Sequence, residues 1–260
     1  MPTFIIGNWK MQLSVGGSVA LAKEIVRLWS AQGAQHPDVQ AVVCPTHLAL
    51  DEVASVVRGT SVALGAQDVF WEEKGAYTGE ISPLMLKDLG CEYCLVGHSE
   101  RRQFLGETDA MVAKKVTALL KAGINPVVCV GETREERDAG KRDAVVIGQV
   151  RVALKDVRPV GKQRLVVAYE PRWAIGAGTP VSPDDAASMH FLIRETLLEM
   201  MPKDVVERQC GIVYGGSVDA KNIASFLAKA EIHGGLIGGA SLKAPDFVRM
   251  AETAVEVKRA

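Results

Sequence analysis

Three side chains of complementary chemistry each come directly after a short apolar run. Lys10 follows the run 3–9, His98 follows the run 91–97, and Glu170 follows the run 165–169. A carboxylate at the end of an apolar run is partly desolvated, which predicts a raised pKa and a better general base. A short helix is predicted to begin near Ser99. Because a helix N-terminus disfavours imidazolium, we expect His98 to stay neutral and to donate a hydrogen bond.

Two glycine pairs, at 215–216 and 238–239, follow two further apolar runs. Glycine at such a turn lets backbone N–H groups approach an anion closely, and the start of a helix adds to the attraction. Lys10, two residues after Asn8, can stabilise negative charge that develops on a substrate oxygen. A base, a neutral hydrogen-bond donor, a cation and a phosphate cradle together predict proton abstraction next to a carbonyl.

A glycine-containing stretch directly follows Glu170. It has a stiff start, an apolar tip and glycines that let a backbone N–H reach a ligand, which is typical of a lid that excludes water from a reaction. The predicted lid consists of Pro171, Arg172, Trp173, Ala174, Ile175, Gly176, Ala177, Gly178 and Thr179.

Eight short apolar runs, rich in Val, Ile and Cys, alternate with longer segments of helical spacing. Because the runs are apolar on both faces, they predict strands of a parallel sheet that is covered by helices. The predicted strands are 3–9, 39–44, 61–66, 91–97, 125–131, 165–169, 209–214 and 234–238, and the clearest predicted helices are 19–29, 109–122, 184–200 and 244–257.

This alternation predicts an α/β protein that forms a single (β/α)8 barrel domain over residues 1–260. The competing arrangement is an open, doubly wound sheet. That sheet usually has a GxGxxG turn after its first strand, whereas the turn here reads Asn8-Trp9-Lys10. In a barrel the carboxyl ends of all strands meet at one mouth, and the loops after the last two strands often bind a phosphate. The barrel therefore predicts that the polar side chains converge.

The composition argues against several classes of function. The chain has 260 residues, 48% of them hydrophobic, and a net charge of −1, which does not suit a nucleic-acid or polybasic membrane binder. No apolar run approaches the ~20 residues of a membrane span or resembles a signal peptide. The five cysteines form no zinc-binding set, so we expect reduced, buried thiols and a cytoplasmic location. We expect no metal and no cofactor, because the sequence has no ligand cluster and no dinucleotide fingerprint.

Seven motifs, in order along the whole chain, closely resemble the triosephosphate isomerase family. They are 7–11 (GNWKM), 75–80 (GAYTGE), 96–102 (VGHSERR), 129–133 (CVGET), 168–176 (AYEPRWAIG), 214–218 (YGGSV) and 238–242 (GGASL). The third and fifth motifs together are too specific for a chance match. The resemblance implies a TIM barrel that interconverts dihydroxyacetone phosphate and D-glyceraldehyde 3-phosphate through an enediolate, in glycolysis and gluconeogenesis.

The resemblance also implies a role for each candidate residue. Glu170 would be the base that moves the proton between two carbons. His98 would polarise the carbonyl and move protons between the oxygens, and Lys10 would supply positive potential. The implied substrate-binding residues are Asn8, Lys10, Gly176, Ser217, Gly238 and Gly239. The implied supporting residues around them are Ser99, Glu100 and Cys129, with Glu100 near Lys10.

The family forms homodimers, and the segment 68–82 matches the loop that enters the partner subunit. Its apolar residues 69–71 fit burial better than exposure. The implied interface residues are Thr78, Gly79 and Glu80.

Two other functions remain open. An isomerase of a longer phosphosugar, such as a tetrulose phosphate, would need more room at the end of the pocket away from the phosphate. A non-catalytic barrel kept as a scaffold predicts loss of Glu170, His98 or Lys10, and all three are present. Arg172 and Pro180 differ from the family's usual lid-hinge residues, which puts the kinetics of the lid in question rather than the reaction.

Overall fold

Eight parallel strands form a closed barrel. The computed structural model describes residues 1–31, 36–175 and 180–259, and within them each strand pairs with the next in sequence order. The last strand returns to the first, with Phe4 opposite Gly234 and Gly7 opposite Ile237. This arrangement confirms the predicted (β/α)8 barrel and excludes the open, doubly wound sheet.

All eight predicted strands are present, with bounds that differ from the prediction by at most two residues. The largest difference is at the fourth strand, which begins at Tyr93 because the N–H of Cys91 bonds the carbonyl of Leu86 instead of a neighbouring strand. The strands are β1 (Thr3–Asn8), β2 (Val39–Cys44), β3 (Val62–Ala66), β4 (Tyr93–Val96), β5 (Asn125–Val130), β6 (Leu165–Tyr169), β7 (Cys210–Tyr214) and β8 (Gly234–Ile237).

The four predicted helices are also present, although the first is longer than predicted at both ends. The α-helices are α1 (Val15–Ala31), α2 (Leu50–Val57), α3 (Pro83–Asp88), α4 (Ser99–Phe104), α5 (Asp109–Ala122), α6 (Arg134–Asp138), α7 (Arg142–Ala153), α8 (Pro183–Met200), α9 (Lys203–Gln209), α10 (Ile223–Leu227) and α11 (Ala244–Arg259). The hydroxyl of Thr108 accepts from the N–H of Met111 and caps α5, and that of Ser182 caps α8. Each capping hydroxyl accepts from a backbone N–H of the first helical turn, which has no partner within the helix.

Two apolar layers hold the barrel together. The inner layer fills the barrel itself and consists of Phe4, Ile6, Val42, Cys44, Ala63, Tyr93, Leu95, Val127, Cys129, Val166, Ala168, Val213 and Leu236. The outer layer joins the strands to the surrounding helices. All five cysteines are free and buried, as predicted.

The polar residues that follow the strands lie at the carboxyl mouth of the barrel. Asn8 ends β1, His98 follows β4, and Glu170 follows β6. No helix in the described ranges is both long enough and apolar enough to cross a membrane.

Candidate functional site

A cavity of about 530 Å³ opens at the carboxyl ends of the strands. It brings together residues that are up to 238 positions apart in the sequence, counted from Asn8 to Asp246. Seven predicted site residues line it: Asn8, Lys10, His98, Glu170, Ser217, Gly238 and Gly239. The convergence that the barrel predicted is therefore present.

The carboxylate of Glu170 lies at the inner end of this cavity and is only 2% exposed. Its Oε1 is 3.1 Å from Nε2 of His98, and its Oε2 accepts a hydrogen bond of 2.9 Å from the backbone N–H of Ser99. Gly215, which lies against Glu170, has no side chain for a steric reason, since a Cβ there would come within 2.7 Å of Glu170 Cγ. Glu170 is thus buried, oriented and in contact with a second titratable group.

His98 is held by the start of α4, where it is the N-terminal capping residue. Its Nδ1 accepts the backbone N–H of Glu100 at 3.3 Å. An imidazole nitrogen that accepts an N–H carries no proton, so the ring proton is on Nε2, the atom that faces Glu170. The ring is therefore set to donate from Nε2 into the cavity.

The pKa shift of Glu170 differs from what the sequence predicted. Burial acts to raise the pKa of Glu170, but contacts with His98, the Ser99 amide and Lys10 outweigh burial, and the net shift is downward. Burial acts to lower the pKa of His98, but the Glu170 carboxylate outweighs burial, and the net shift is upward. The raised pKa that was predicted for Glu170 was wrong, because that prediction treated the carboxylate alone, whereas it lies in contact with His98.

Lys10 occupies an unusual backbone conformation beside the cavity, with φ at 52°. Left-handed backbone is uncommon outside glycine and is kept where neighbours enforce it. Here the side chain of Asn8 accepts the N–H of Lys10 at 3.1 Å, and Gln67 donates to the Lys10 carbonyl at 2.9 Å. The ammonium lies 2.7 Å from Glu100 Oε1, as the resemblance implied, and the side chain remains 25% exposed.

The opposite wall of the cavity comes from the turns after β7 and β8. Gly215, Gly216 and Ser217 follow β7, and Gly238 and Gly239 follow β8. Two cations that the sequence analysis missed, Lys221 and Lys243, also line the cavity. They could have been found, because each lies within five residues of one of these predicted turns.

The beginning of the predicted lid contacts Glu132, which lies between β5 and α6, and the arginines of α6 that lie over Trp173. Arg172, Trp173 and Ala174 form one turn of 3-10 helix, and Trp173 Nε1 donates to Glu132 Oε1 at 2.8 Å. Ile175 reaches the cavity wall. The remaining predicted lid residues, Gly176, Ala177, Gly178 and Thr179, lie outside the described residues, and so does the predicted phosphate contact of Gly176.

Other predicted residues lie around the cavity rather than in it. Cys129 is fully buried in the inner layer of the barrel, where burial raises the pKa of its thiol. Ser99 contacts Glu170 through its backbone. Thr78, Gly79 and Glu80 are exposed and are not part of the cavity of this chain.

A metal-binding site is absent from the part of the chain that the structure describes. No three or more His, Cys, Asp or Glu side chains there are grouped so that they could hold a metal ion. The cavity lining includes the carboxylate of Glu170, the imidazole of His98, the ammonium group of Lys10 and glycine-rich turns.

Known proteins are similar to this chain over nearly its whole length. A family model described as triosephosphate isomerase matches residues 3–254. The chain is 47% identical over 251 residues to a triosephosphate isomerase from Roseiflexus sp. (strain RS-1), with 95% of each chain covered. It is 48% identical over 246 residues to one from Caldanaerobacter subterraneus subsp. tengcongensis, covering 95% of this chain and 97% of the relative. For one from Chloroherpeton thalassium the identity is 43% over 251 residues, with 96% and 98% covered.

Proposed function

This chain belongs to the triosephosphate isomerase family, and we propose that it is an enzyme that interconverts dihydroxyacetone phosphate and D-glyceraldehyde 3-phosphate. The contact between Glu170 and His98, 3.1 Å apart in a cavity that also contains Lys10, carries this proposal. A buried base beside a neutral hydrogen-bond donor is the arrangement that proton transfer next to a carbonyl requires. The pairing of a glutamate base with a neutral histidine is the known chemistry of this family.

Glu170 is the base in this proposal. Its carboxylate removes a proton from carbon 1 of dihydroxyacetone phosphate, and the electrons of the C–H bond form the double bond of an enediolate. The same carboxyl group then returns a proton to carbon 2, while His98 passes the hydroxyl proton from the oxygen of carbon 1 to the oxygen of carbon 2, which gives D-glyceraldehyde 3-phosphate. Because Glu170 bonds His98 and the Ser99 amide in this structure, these two contacts must open so that the carboxylate can face the substrate carbon.

His98 and Lys10 stabilise the negative charge that the base creates. Once Glu170 has moved, the N–H at His98 Nε2 can donate a hydrogen bond to the carbonyl oxygen of the substrate. This hydrogen bond stabilises the negative charge on that oxygen while the imidazole itself is neutral. The Lys10 ammonium lies beside the same cavity, and the backbone that carries it is fixed by Asn8 and Gln67. A charge that is held in place stabilises an oxyanion without the cost of reorganising at the moment of reaction.

The phosphate group fits the opposite wall in this proposal. Ser217, Gly238 and Gly239 line that wall, and glycine lets backbone N–H groups approach phosphate oxygens. Lys221 and Lys243 also line that wall, together with the carboxylates of Asp219 and Asp246. Gly176 and the rest of the segment 171–179 would cover the bound substrate and exclude water, which would also suppress loss of phosphate from the enediolate.

The enzyme acts as a homodimer in this proposal. Four apolar side chains near the segments that follow β1, β2 and β4 are unusually exposed: Met11 (91%), Leu48 (86%), Phe104 (71%) and Leu105 (64%). Three of them line a second cavity that also reaches Lys10 and His98. The segment 68–82 of a second copy, with Thr78, Gly79 and Glu80 at its tip, would cover this surface. Val69 is already buried within its own chain, where it is only 1% exposed. Phe70 and Trp71 are partly exposed, so these two side chains are the ones that an interface could bury.

Sedimentation tests the homodimer. The wild type is expected to sediment as a dimer, and Phe104→Glu, which puts a charge on the exposed apolar surface, is expected to sediment as a monomer. Phe191→Glu is the matched control, because Phe191 is also an exposed phenylalanine (51%) but lies on α8, away from the proposed interface. A monomeric wild type would overturn this part of the proposal.

The proposal places the protein in the cytoplasm as one domain of residues 1–260. Five free, buried thiols support a reducing compartment, because such thiols persist where disulfides do not form.

A coupled assay with three substrates tests the proposed reaction. The wild type is expected to interconvert both triose phosphates and to leave a tetrulose phosphate unchanged. Lys10→Met, which removes the ammonium group but keeps an apolar stem, is expected to lower turnover by about 10²–10³, the usual cost of removing one stabilising group from an oxyanion. Activity on the tetrulose phosphate alone would favour the longer-sugar isomerase, and no activity on any of the three would favour a scaffold.

A further inference from the structure

The residue before His98 adopts a conformation that requires support from elsewhere. Gly97 has φ at +72°, and a Cβ at this position would come within 2.9 Å of both Arg102 and Val112. Glycine satisfies this steric demand, but it also leaves the backbone free to adopt many other conformations. The peptide bond after Gly97 leads directly to His98, so a rotation of the Gly97 backbone would move the imidazole.

Charged side chains hold both polar groups of the Gly97 backbone. Arg102 Nε donates to the Gly97 carbonyl at 2.7 Å, and Glu107 Oε1 accepts the Gly97 N–H at 3.1 Å. A hydrogen bond to a charged group is roughly twice as strong as one between neutral groups. The peptide on either side of Gly97 is thus fixed by the segment that follows it.

Arg102 also connects three elements around the site. Besides the Gly97 carbonyl at the end of β4, its guanidinium donates to the Cys129 carbonyl on β5 at 3.3 Å and to the carboxylate of Asp109 at the start of α5. The Arg102 side chain is only 9% exposed. A planar guanidinium can make these contacts at fixed angles, whereas a lysine ammonium is a single point of charge.

Glu107 is anchored just as firmly on the other side. Its side chain is 1% exposed, and it bonds Arg101 at 2.6 Å and Lys115 at 3.0 Å. Both of those cations also bond Asp68. Glu107, which supports the Gly97 N–H, therefore belongs to a closed set of ion pairs in which Lys115 is buried and Arg101 is partly exposed. The support for the Gly97 carbonyl comes from Arg102.

We propose that Arg102 is a positioning residue for His98: by holding the Gly97 carbonyl it fixes the place and orientation of the imidazole. Arg102 does not line the cavity, so it acts through His98 and not on the substrate. The expected effect of Arg102 on turnover rests on the proposed isomerase function, but its effect on the position of His98 does not. The wall proposed to bind the phosphate, here called the phosphate wall, is formed by the turns after β7 and β8. The contacts of Arg102 lie on β4, β5 and α5 instead. Loss of these contacts is therefore expected to change turnover and not substrate binding.

Arg102→Lys tests the proposal, because it keeps the charge beside Asp109 and removes the planar set of donors. A displacement of about 1 Å at a reacting group can cost roughly a hundredfold in rate, so kcat is expected to fall about 10- to 100-fold while KM changes by less than about threefold. In the ligand-free protein, the ¹⁵N and ¹H NMR signals of the His98 ring, assigned from their loss in His98→Asn, are expected to shift. Arg151→Lys is the matched control, since Arg151 makes an exposed ion pair with Glu199 and is expected to change none of these quantities.

The outcomes separate positioning from simple stabilisation. If Arg102→Lys lowers only the melting temperature and leaves kcat and the His98 signals as in the wild type, the proposal is overturned. If this variant does not fold, Asp109→Asn takes its place, because it removes the carboxylate that orients the guanidinium. Shifted His98 signals in Asp109→Asn would support the proposal, and unchanged signals would overturn it. A wild type without isomerase activity would refute the proposed function, while the NMR comparison would still test the role of Arg102.

Discussion

Glu170→Asp withdraws the carboxylate by one methylene group and leaves its charge unchanged. The carboxylate moves back by about 1.5 Å, the length of one carbon–carbon bond. The contacts of 3.1 Å to His98 and 2.9 Å to the Ser99 amide then exceed hydrogen-bond distance. The same withdrawal separates the base from the substrate carbon. At roughly a hundredfold per 1 Å of misplacement, kcat is expected to fall by about 10² or more, or about 2.7 kcal/mol of transition-state stabilisation.

The assay for Glu170→Asp is the coupled reaction run in both directions, with kcat and KM measured separately. KM is expected to change little, because the phosphate wall lies on β7 and β8. Glu92→Asp is the matched control, since Glu92 is an exposed carboxylate that precedes β4 at the opposite end of the barrel, and its activity is expected to equal that of the wild type. If Glu170→Asp kept a kcat within about threefold of the wild type, the assignment of Glu170 as the base would be refuted.

Three further predictions concern stability and reactivity. The pKa of Glu170 is lowered from 4.5, so its contribution to the free energy of unfolding is present above pH 4.5 and is lost as pH falls through the folded-state pKa. In urea unfolding, the free energy of unfolding of Glu170→Gln is therefore expected to fall less on acidification than that of the wild type. Burial raises the pKa of Cys91 and Cys210 to about 12, and all five cysteines are buried, so a thiol reagent at mildly alkaline pH is expected to modify none in the native protein and five after denaturation. Thr108→Ala removes the cap that accepts from Met111, and urea unfolding is expected to show a loss of about 1 kcal/mol with unchanged kcat.

The fold was predictable because local signals agreed with one another along the chain. Eight runs that are apolar on both faces require cover on both sides, and capping residues such as Thr108 and Ser182 mark where the covering helices begin. The strand bounds were less certain, because a hydrogen bond such as that from Cys91 to Leu86 delays the start of a strand without any signal in residue type.

The site was predictable in its residue types and position but not in its electrostatics. Lys10, His98 and Glu170 could be placed at one mouth from the barrel alone. The pKa directions of His98 and Glu170 could not, because each depends on a contact between side chains 72 positions apart, counted from residue 98 to residue 170.

The residues that support the site were missed for a similar reason. Gln67, Arg102 and Glu107 bond backbone atoms of Lys10 and Gly97, and a polar side chain that supports a backbone has no distinctive sequence pattern. Such partners become visible only when the coordinates show which carbonyl or N–H each side chain reaches.

The role of Glu170 as the base can be tested by isomerisation of dihydroxyacetone phosphate in D₂O, followed by ¹H NMR. A proton that passes through the Glu170 carboxyl group can exchange with solvent before it returns, so part of the D-glyceraldehyde 3-phosphate is expected to carry deuterium at carbon 2. Glu170→Gln is expected to give neither product nor exchange at a comparable rate. Product formed by the wild type without any deuterium, or undiminished exchange in Glu170→Gln, would show that Glu170 does not carry this proton.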